Sequence, residues 1–175
     1  MARIHLIGGS GAGKTTLGRS LAARMRAPFV DLDDLYWEPG WCEVGHKELA
    51  RRVAPVVAGD RWVIAGNYHA TTERHVWPLL TQLVVLDLPY SQLMRRCVWR
   101  TLWRGLSGEP CCNGNRESVL RLLHRDGLPR YLHRTWRKRH TRYATLAREP
   151  TLRHAHVVHL TSQRAIDTWL AQQAA

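Results

Sequence analysis

The residues best suited to chemistry open the chain. Gly8-Gly9-Ser10-Gly11-Ala12-Gly13-Lys14-Thr15 fits the pattern G-x-x-x-x-G-K-[ST] in full. Glycines at these positions let the backbone curl until successive amides face phosphate oxygens. A helix starting at Lys14 adds the positive potential of its N-terminus. The Lys14 ammonium would reach the β- and γ-phosphates of a nucleotide, the Thr15 hydroxyl would ligate Mg²⁺, and Thr16 follows on the same turn. The dinucleotide fingerprint G-x-G-x-x-G occurs nowhere in the chain, and a Lys-Thr pair has no part in it.

A second group of candidates is acidic and aromatic. Asp31-Leu32-Asp33-Asp34 ends a short apolar run at the edge where parallel sheets bind ligands. At a strand period of two, Asp31 and Asp33 point the same way. One could then hold Mg²⁺ and the other accept a proton from an acceptor hydroxyl. The alternative is that one of them caps the following turn. Leu35-Tyr36-Trp37-Glu38-Pro39-Gly40-Trp41 could wall a flat substrate or simply pack over a helix. Gly66-Asn67-Tyr68 closes another run at the same edge and reads equally as substrate contacts or a plain turn. Asp87 resembles a metal-side acid, but its place on the fourth strand argues against that role.

The third group is basic. The formal charge is +12, and residues 91–143 hold 13 basic against 3 acidic side chains. Arg96, Arg100 and Arg104, spaced by four, share a helix face leading into a loop with Gly105, Gly108 and Gly114. An Arg-bearing flap with glycine hinges is what phosphoryl transfer needs, to neutralise moving charge and exclude water. The later run from Arg134 to Tyr143 could instead grip nucleic acid, or be a solvated helix face. Cys111 and Cys112 with Cys97 and His124 lack metal-ligand spacing, and the ten histidines are scattered singly, as surface or packing residues.

These residues need a frame. A chain of 175 residues with 45% hydrophobic and 23% charged residues is sized and composed for one globular domain. No apolar run approaches the roughly 20 residues that span a bilayer, and the start reaches glycine too early for a secretory signal. Four scattered cysteines fit reduced thiols in a cytoplasm. Apolar runs at about Arg3–Ile7, Phe29–Asp31, Trp62–Ala65, Leu83–Asp87 and His156–Leu160 alternate with helical patterns. The reading is a doubly wound α/β fold of five parallel strands. Helices are expected from the phosphate loop to Met25, at 46–57 (kinked or ended by Pro55), at 92–104 capped by Ser91, and after Ser162. An Arg-rich helical insertion lies at about 91–147.

Together, Gly8–Thr15, the segment Asp31–Trp41, Gly66-Asn67-Tyr68, Leu86-Asp87-Leu88-Pro89 and Asn113-Gly114-Asn115-Arg116-Glu117-Ser118 resemble bacterial P-loop kinase-like proteins, the adenylate-kinase-related or DNA topology modulation group. The likeness runs over about residues 3–170. It implies a P-loop nucleotide-kinase fold, ATP and Mg²⁺ at Gly8–Thr15, and lid arginines closing on the phosphates. Ala65 stands where many relatives carry Asp, which shifts the metal burden to Asp31, Asp33 and Thr15.

The expected activity is transfer of the γ-phosphoryl of ATP to a small acceptor such as a nucleotide or nucleoside. Lys14, Asp33, Arg100, Arg104 and Arg116 would be catalytic, with Asn113 and Asn115 as helpers. Asp31, Asp33, Trp37, Gly66, Asn67 and Tyr68 would hold substrate, and Thr15 and Asp31 the metal. The competing reading is a nucleotide-gated nucleic-acid-binding regulator with weak ATPase activity, using Arg137, Lys138 and Arg139. A polynucleotide 5′-hydroxyl kinase would join the two.

Overall fold

A computed structural model describes residues 2–122 and 127–173. Five parallel strands form the sheet: β1 (Arg3–Gly8), β2 (Phe29–Asp31), β3 (Trp62–Ala65), β4 (Gln82–Leu86) and β5 (His156–Leu160). Their spatial order is β2-β3-β1-β4-β5. The helices are α1 (Lys14–Met25), α2 (Leu32–Tyr36), α3 (Gly45–Val57), α4 (His69–His75), α5 (Tyr90–Ser107), α6 (Leu128–Tyr143) and α7 (Gln163–Gln172).

Strand alternation divides the core between the two faces. Ile4, Leu6, Val63, Ala65, Val84 and Leu86 pack with Leu17 and Leu21 of α1, Leu93 of α5 and Ile166 of α7. Ile7, Ile64, Leu83 and Val85 pack with Leu32 of α2, Leu49 and Val53 of α3, and Trp77. Helices therefore cover both faces. Helix α6 belongs to both clusters, through Leu132 on one side and Tyr143 on the other. It crosses the sheet, and that crossing positions part of the site.

Several local expectations change. The second apolar run stops at Asp31, whose side chain caps α2 by accepting from the Asp33 amide at 3.1 Å. Asp31 and Asp33 thus lie on a cap and a helix, not on two alternate strand positions. Helix α5 begins at Tyr90 with Pro89 as its N-cap, which places Ser91 inside the first turn. The same helix runs to Ser107 and ends at Gly108 in a left-handed conformation (φ 65°). Gly105 is consequently no hinge: a Cβ there would meet Val119 at 2.6 Å, so it is a packing notch. The presumed loop after α5 is a hairpin pairing Pro110–Cys111 with Asn115–Arg116, and the aromatic segment is a hairpin pairing Trp37–Glu38 with Cys42–Glu43. Ser162 does cap α7, accepting from the Ala165 amide at 3.1 Å. Pro55 lies inside α3, two residues before its end. Among the described residues, no helix is long and apolar enough to cross a membrane.

One buried polar contact ties the sheet to the layer beneath it. His5 of β1 is fully buried, lies 2.9 Å from the Gly66 carbonyl through Nε2, and accepts from the Trp77 indole at Nδ1 (3.1 Å). Both contacts suit the neutral ring with its proton on Nε2. Burial pushes the His5 pKa from 6.5 down to about 3. The unfolded chain takes up this proton near 6.5 and the folded chain only near 3. Stability is therefore full above pH 6.5 and falls as the pH drops through that window, by about 1.4 kcal/mol per unit. Urea unfolding at pH 6.5 and 5.0 should show about 2 kcal/mol more loss in the wild type than in His5→Gln. Equal losses would mean that His5 is not the group responsible.

Candidate active site

The phosphate loop sits between the end of β1 and the start of α1. Its turn closes with the Ala12 amide on the Gly9 carbonyl (3.1 Å), and Gly11 and Gly13 take positive φ values of 82° and 90° that a side chain would strain. A Cβ at Gly13 would point into open space, so backbone conformation, not crowding, demands glycine there. Asn67 clamps the loop's first residue: the Gly8 amide donates to its Oδ1 (3.0 Å), and its Nδ2 donates to the Gly8 carbonyl (2.8 Å). Ser10, Gly11 and Ala12 lie on the loop as expected, and Thr16 is exposed on α1.

Lys14 is folded into the loop, its Nζ donating to the carbonyls of Gly8 (2.9 Å) and Gly9 (3.3 Å). Burial depresses its pKa from 10.5 to about 8, while Asp33 and Asp31 hold it up and Arg139 and Arg100 push it down. The Thr15 hydroxyl donates to Asp31 Oδ2 at 2.6 Å. Burial and the neighbouring Asp33 raise the Asp31 pKa. Tyr68 donates to Asp33 Oδ1 at 2.6 Å, and its own ionisation is pushed far upward by burial. Two carboxylates from one chain turn therefore face the ammonium, one on the threonine hydroxyl and one on a tyrosine.

An aromatic wall continues from Tyr68. Ring centroids follow at 4.5 Å (Tyr68–Tyr36), 5.3 Å (Tyr36–Trp37) and 5.6 Å (Trp37–Trp41). The hairpin after α5 rests on this wall. Asn115, only 4% exposed, accepts from the Trp41 amide (2.8 Å) and donates to the carbonyls of Glu38 (2.9 Å) and Cys112 (2.7 Å). The Trp41 indole donates to the Arg116 carbonyl (3.2 Å). Gly66 has a supporting place: its carbonyl takes the His5 contact, and a Cβ would meet Leu32 at 2.7 Å.

The basic residues part company. Arg100 adds positive potential at Lys14, and its buried Nε has no partner among the described residues. Arg96 bonds Gln163 (2.8 Å) and Arg104 pairs with Glu117 (3.2 Å), so the shared helix face is divided among three tasks. Arg116 and Asn113 are exposed. Arg139, read in the sequence only within a basic run, lies at the phosphate loop. It shares a small cavity with Gly9, its Nη2 donates to the Tyr131 hydroxyl (2.6 Å), and its buried Nη1 has no partner among the described residues. Arg137 and Lys138 are exposed, so the run is not one continuous basic face.

Asp87 corrects an argument as well as a role. Strand β4 is hydrogen-bonded directly to β1, so its position is no objection to a metal-side acid. Asp87 is instead engaged by His140 Nδ1 at 2.8 Å and His159 Nε2 at 3.0 Å, which gather two surface histidines on one carboxylate where the sequence showed them as scattered singly. Among the described residues no cluster of three His, Cys, Asp or Glu side chains could hold a metal ion. His124 lies outside the described residues.

Comparison with known proteins agrees with this geometry. The family model for shikimate kinase matches residues 10–39. The chain is 41% identical over 70 residues to a shikimate kinase of Bacteroides thetaiotaomicron, covering 33% of this chain and 39% of that protein. It is 32% identical over 107 residues to one of Parasynechococcus marenigrum, covering 53% and 56%. The matched stretches thus span between two fifths and just over half of these curated relatives. Among solved structures, Bacteroides thetaiotaomicron shikimate kinase superposes with a TM-score of 0.54 at 20% identity, over 98% of this chain and 95% of that one. Acinetobacter baumannii shikimate kinase in complex with shikimate gives 0.54 at 22%, over 98% and 90%. A gluconokinase of Sinorhizobium meliloti gives 0.52 at 16%, over 99% and 93%. The fold is that of the P-loop kinases.

The electrostatics of Lys14 can be read directly. NMR titration of the reductively ¹³C-methylated protein should place Lys14 near 8. Asp33→Asn should lower it further, because Asp33 is its foremost supporting charge. A wild-type value above 10 would mean a solvated ammonium.

Proposed function

We propose that the chain is a P-loop kinase that transfers the γ-phosphoryl of ATP to a hydroxyl of a small acceptor held between Asp33, Tyr68 and the aromatic hairpin. The observation that carries this reading is the charge arrangement around Lys14: an ammonium in a glycine loop, two neighbouring carboxylates, and two buried arginine nitrogens without partners among the described residues. Unpartnered buried guanidinium nitrogens are costly, and a polyphosphate would satisfy them. The matched family model runs from Ser10, inside the phosphate loop, to Pro39, which supports the donor half of the reading.

The residues present fit Mg²⁺ as well. The Thr15 hydroxyl and Asp31 carboxylate, in contact at 2.6 Å, are a donor set for a hard divalent ion. Ala65 is the sheet neighbour of Asp31, so the carboxylate missing on β3 has a substitute one strand away. The ion would supply charge neutralisation at the phosphates. Asp33 orients the acceptor hydroxyl and accepts its proton, and Tyr68 fixes the carboxylate that does so. Lys14, Arg100 and Arg139 stabilise charge on the phosphoryl group in transit. Of the expected lid 91–147, the hairpin Pro110–Arg116 is the part that acts as one, with Asn115 as its latch, because α5 and α6 are anchored in the core.

For the acceptor, the proteins named shikimate kinase make a small hydroxylated metabolite the first candidate, with nucleosides and nucleotides next. Nothing in the geometry favours the nucleic-acid regulator, since Arg139 turns inward. The test is transfer of labelled γ-phosphate from ATP and Mg²⁺ to shikimate, other hydroxylated metabolites, nucleosides and nucleoside monophosphates. Label should appear on one acceptor, and Lys14→Ala, Asp33→Asn and Arg139→Ala should each lower the rate by about 100-fold or more. Full transfer by Lys14→Ala would refute the reading. Asn115→Ala should raise the acceptor KM by about tenfold while ATP affinity holds, because one buried side chain closes only the acceptor end.

A further inference from the structure

We propose that Cys111 and Cys112, in the lid hairpin, form a two-sulfur binding site for thiophilic trivalent arsenicals. The two residues are adjacent, Cys111 on a strand and Cys112 in the left-handed region (φ 42°). They are neighbours in the chain at the turn of one hairpin, so their two side chains leave Cα atoms about 3.8 Å apart and can reach one bridging atom. Both are partly accessible, whereas Cys97 is buried and Cys42 is exposed and isolated.

Bond geometry selects the ligand. Adjacent Cα atoms are about 3.8 Å apart, below the roughly 4.4–6.8 Å of ordinary disulfides, so a direct S–S bond here is strained. An atom inserted between the sulfurs lengthens the bridge and relieves that strain. A metal ion needing three or four protein ligands is not served, since no such cluster exists among the described residues. An organic arsenoxide brings its own carbon ligand and asks the protein for two soft sulfurs. The condensation balances without redox change: two As–S bonds form, two S–H bonds and the As=O bond break, and the oxygen leaves as water.

The surroundings add selectivity. Burial pushes both thiols up, and Asp33 adds to the effect at Cys112, so they stay protonated and react slowly with one-point alkylating agents. Arsenoxide condensation consumes the neutral thiols. The Cys112 thiol is an electrostatic neighbour of Asp33, Asp31 and Tyr68, and its carbonyl takes one bond of the Asn115 latch. An occupant of the pair therefore sits on the hairpin that Asn115 ties to Glu38 and Trp41.

The probe is phenylarsine oxide, added to the full chain and read by intact mass. One adduct with loss of one water is expected, removed by a dithiol and resistant to a monothiol at equal thiol concentration. Cys111→Ser and Cys112→Ser should each weaken binding by about 10²–10⁴-fold, because each removes the second point of attachment. Cys42→Ser should leave it unchanged. Peptide mapping of the wild-type adduct needs no variant and must find the arsenic on the Cys111–Cys112 peptide. An adduct at Cys42, or binding retained when both serines are present, would overturn the proposal. Loss of acceptor phosphorylation in the adduct is the part that rests on the proposed function, and the mass measurement separates its failure from that of the site.

Discussion

A buried ammonium organises this molecule. Lys14 has left water for a loop of glycines, and a charge so placed must be neutralised or it loses its proton. Two loop carbonyls and two carboxylates supply the compensation, while Arg100 and Arg139 press from the other side. Three cations against two carboxylates leave a surplus of positive potential where a polyanion would bind. Assembling these five groups requires α1 after β1, the end of β2 with the start of α2, the second half of α5, and α6 crossing the sheet. Much of the topology serves this charge balance.

The acceptor end is closed by different means. The lid hairpin meets the aromatic hairpin through the Asn115 amide and the Trp41 indole, a junction built mostly of hydrogen bonds. Such bonds contribute about 1 kcal/mol each, so the junction is firm enough to define a closed state and weak enough to open for exchange. A junction of the same area built from leucines would hold the lid shut.

The parts legible in the sequence were those with local causes. The phosphate loop needs positive φ at glycines and a following helix, and both are written within eight residues. Alternating apolar runs showed the five strands for the same reason. Asp31 and Asp33 do lie side by side, but not through the strand period read in the sequence, because the strand ends where its first carboxylate turns to cap α2. Arg139 escaped notice as a site residue, being far from the loop in sequence and surrounded by other basic residues. A signal was present: Leu132, Trp136, Arg139 and Tyr143 follow the spacing of an inward helix face, so this arginine stood in an apolar stripe and its neighbours did not. Asn115 had no such signal, since its partners lie some 75 residues away and only the folded chain brings them to it.

The same division between local and distant causes separates donor from acceptor. The family match begins inside the phosphate loop and stops at Pro39, in the turn of the aromatic hairpin. Folds of equal likeness include kinases named for shikimate and for gluconate, at 16–22% identity. A shared fold at that distance does not choose a substrate, which is left to the loops. In this chain those loops are Trp37–Glu43, Asn67–His69 and Pro110–Arg116, which contribute two tryptophans, a tyrosine bound to Asp33, and a thiol pair. On the reading proposed above, Asp33 can hold any hydroxyl, so the choice among acceptors falls to the shape of the aromatic wall from Tyr68 to Trp41.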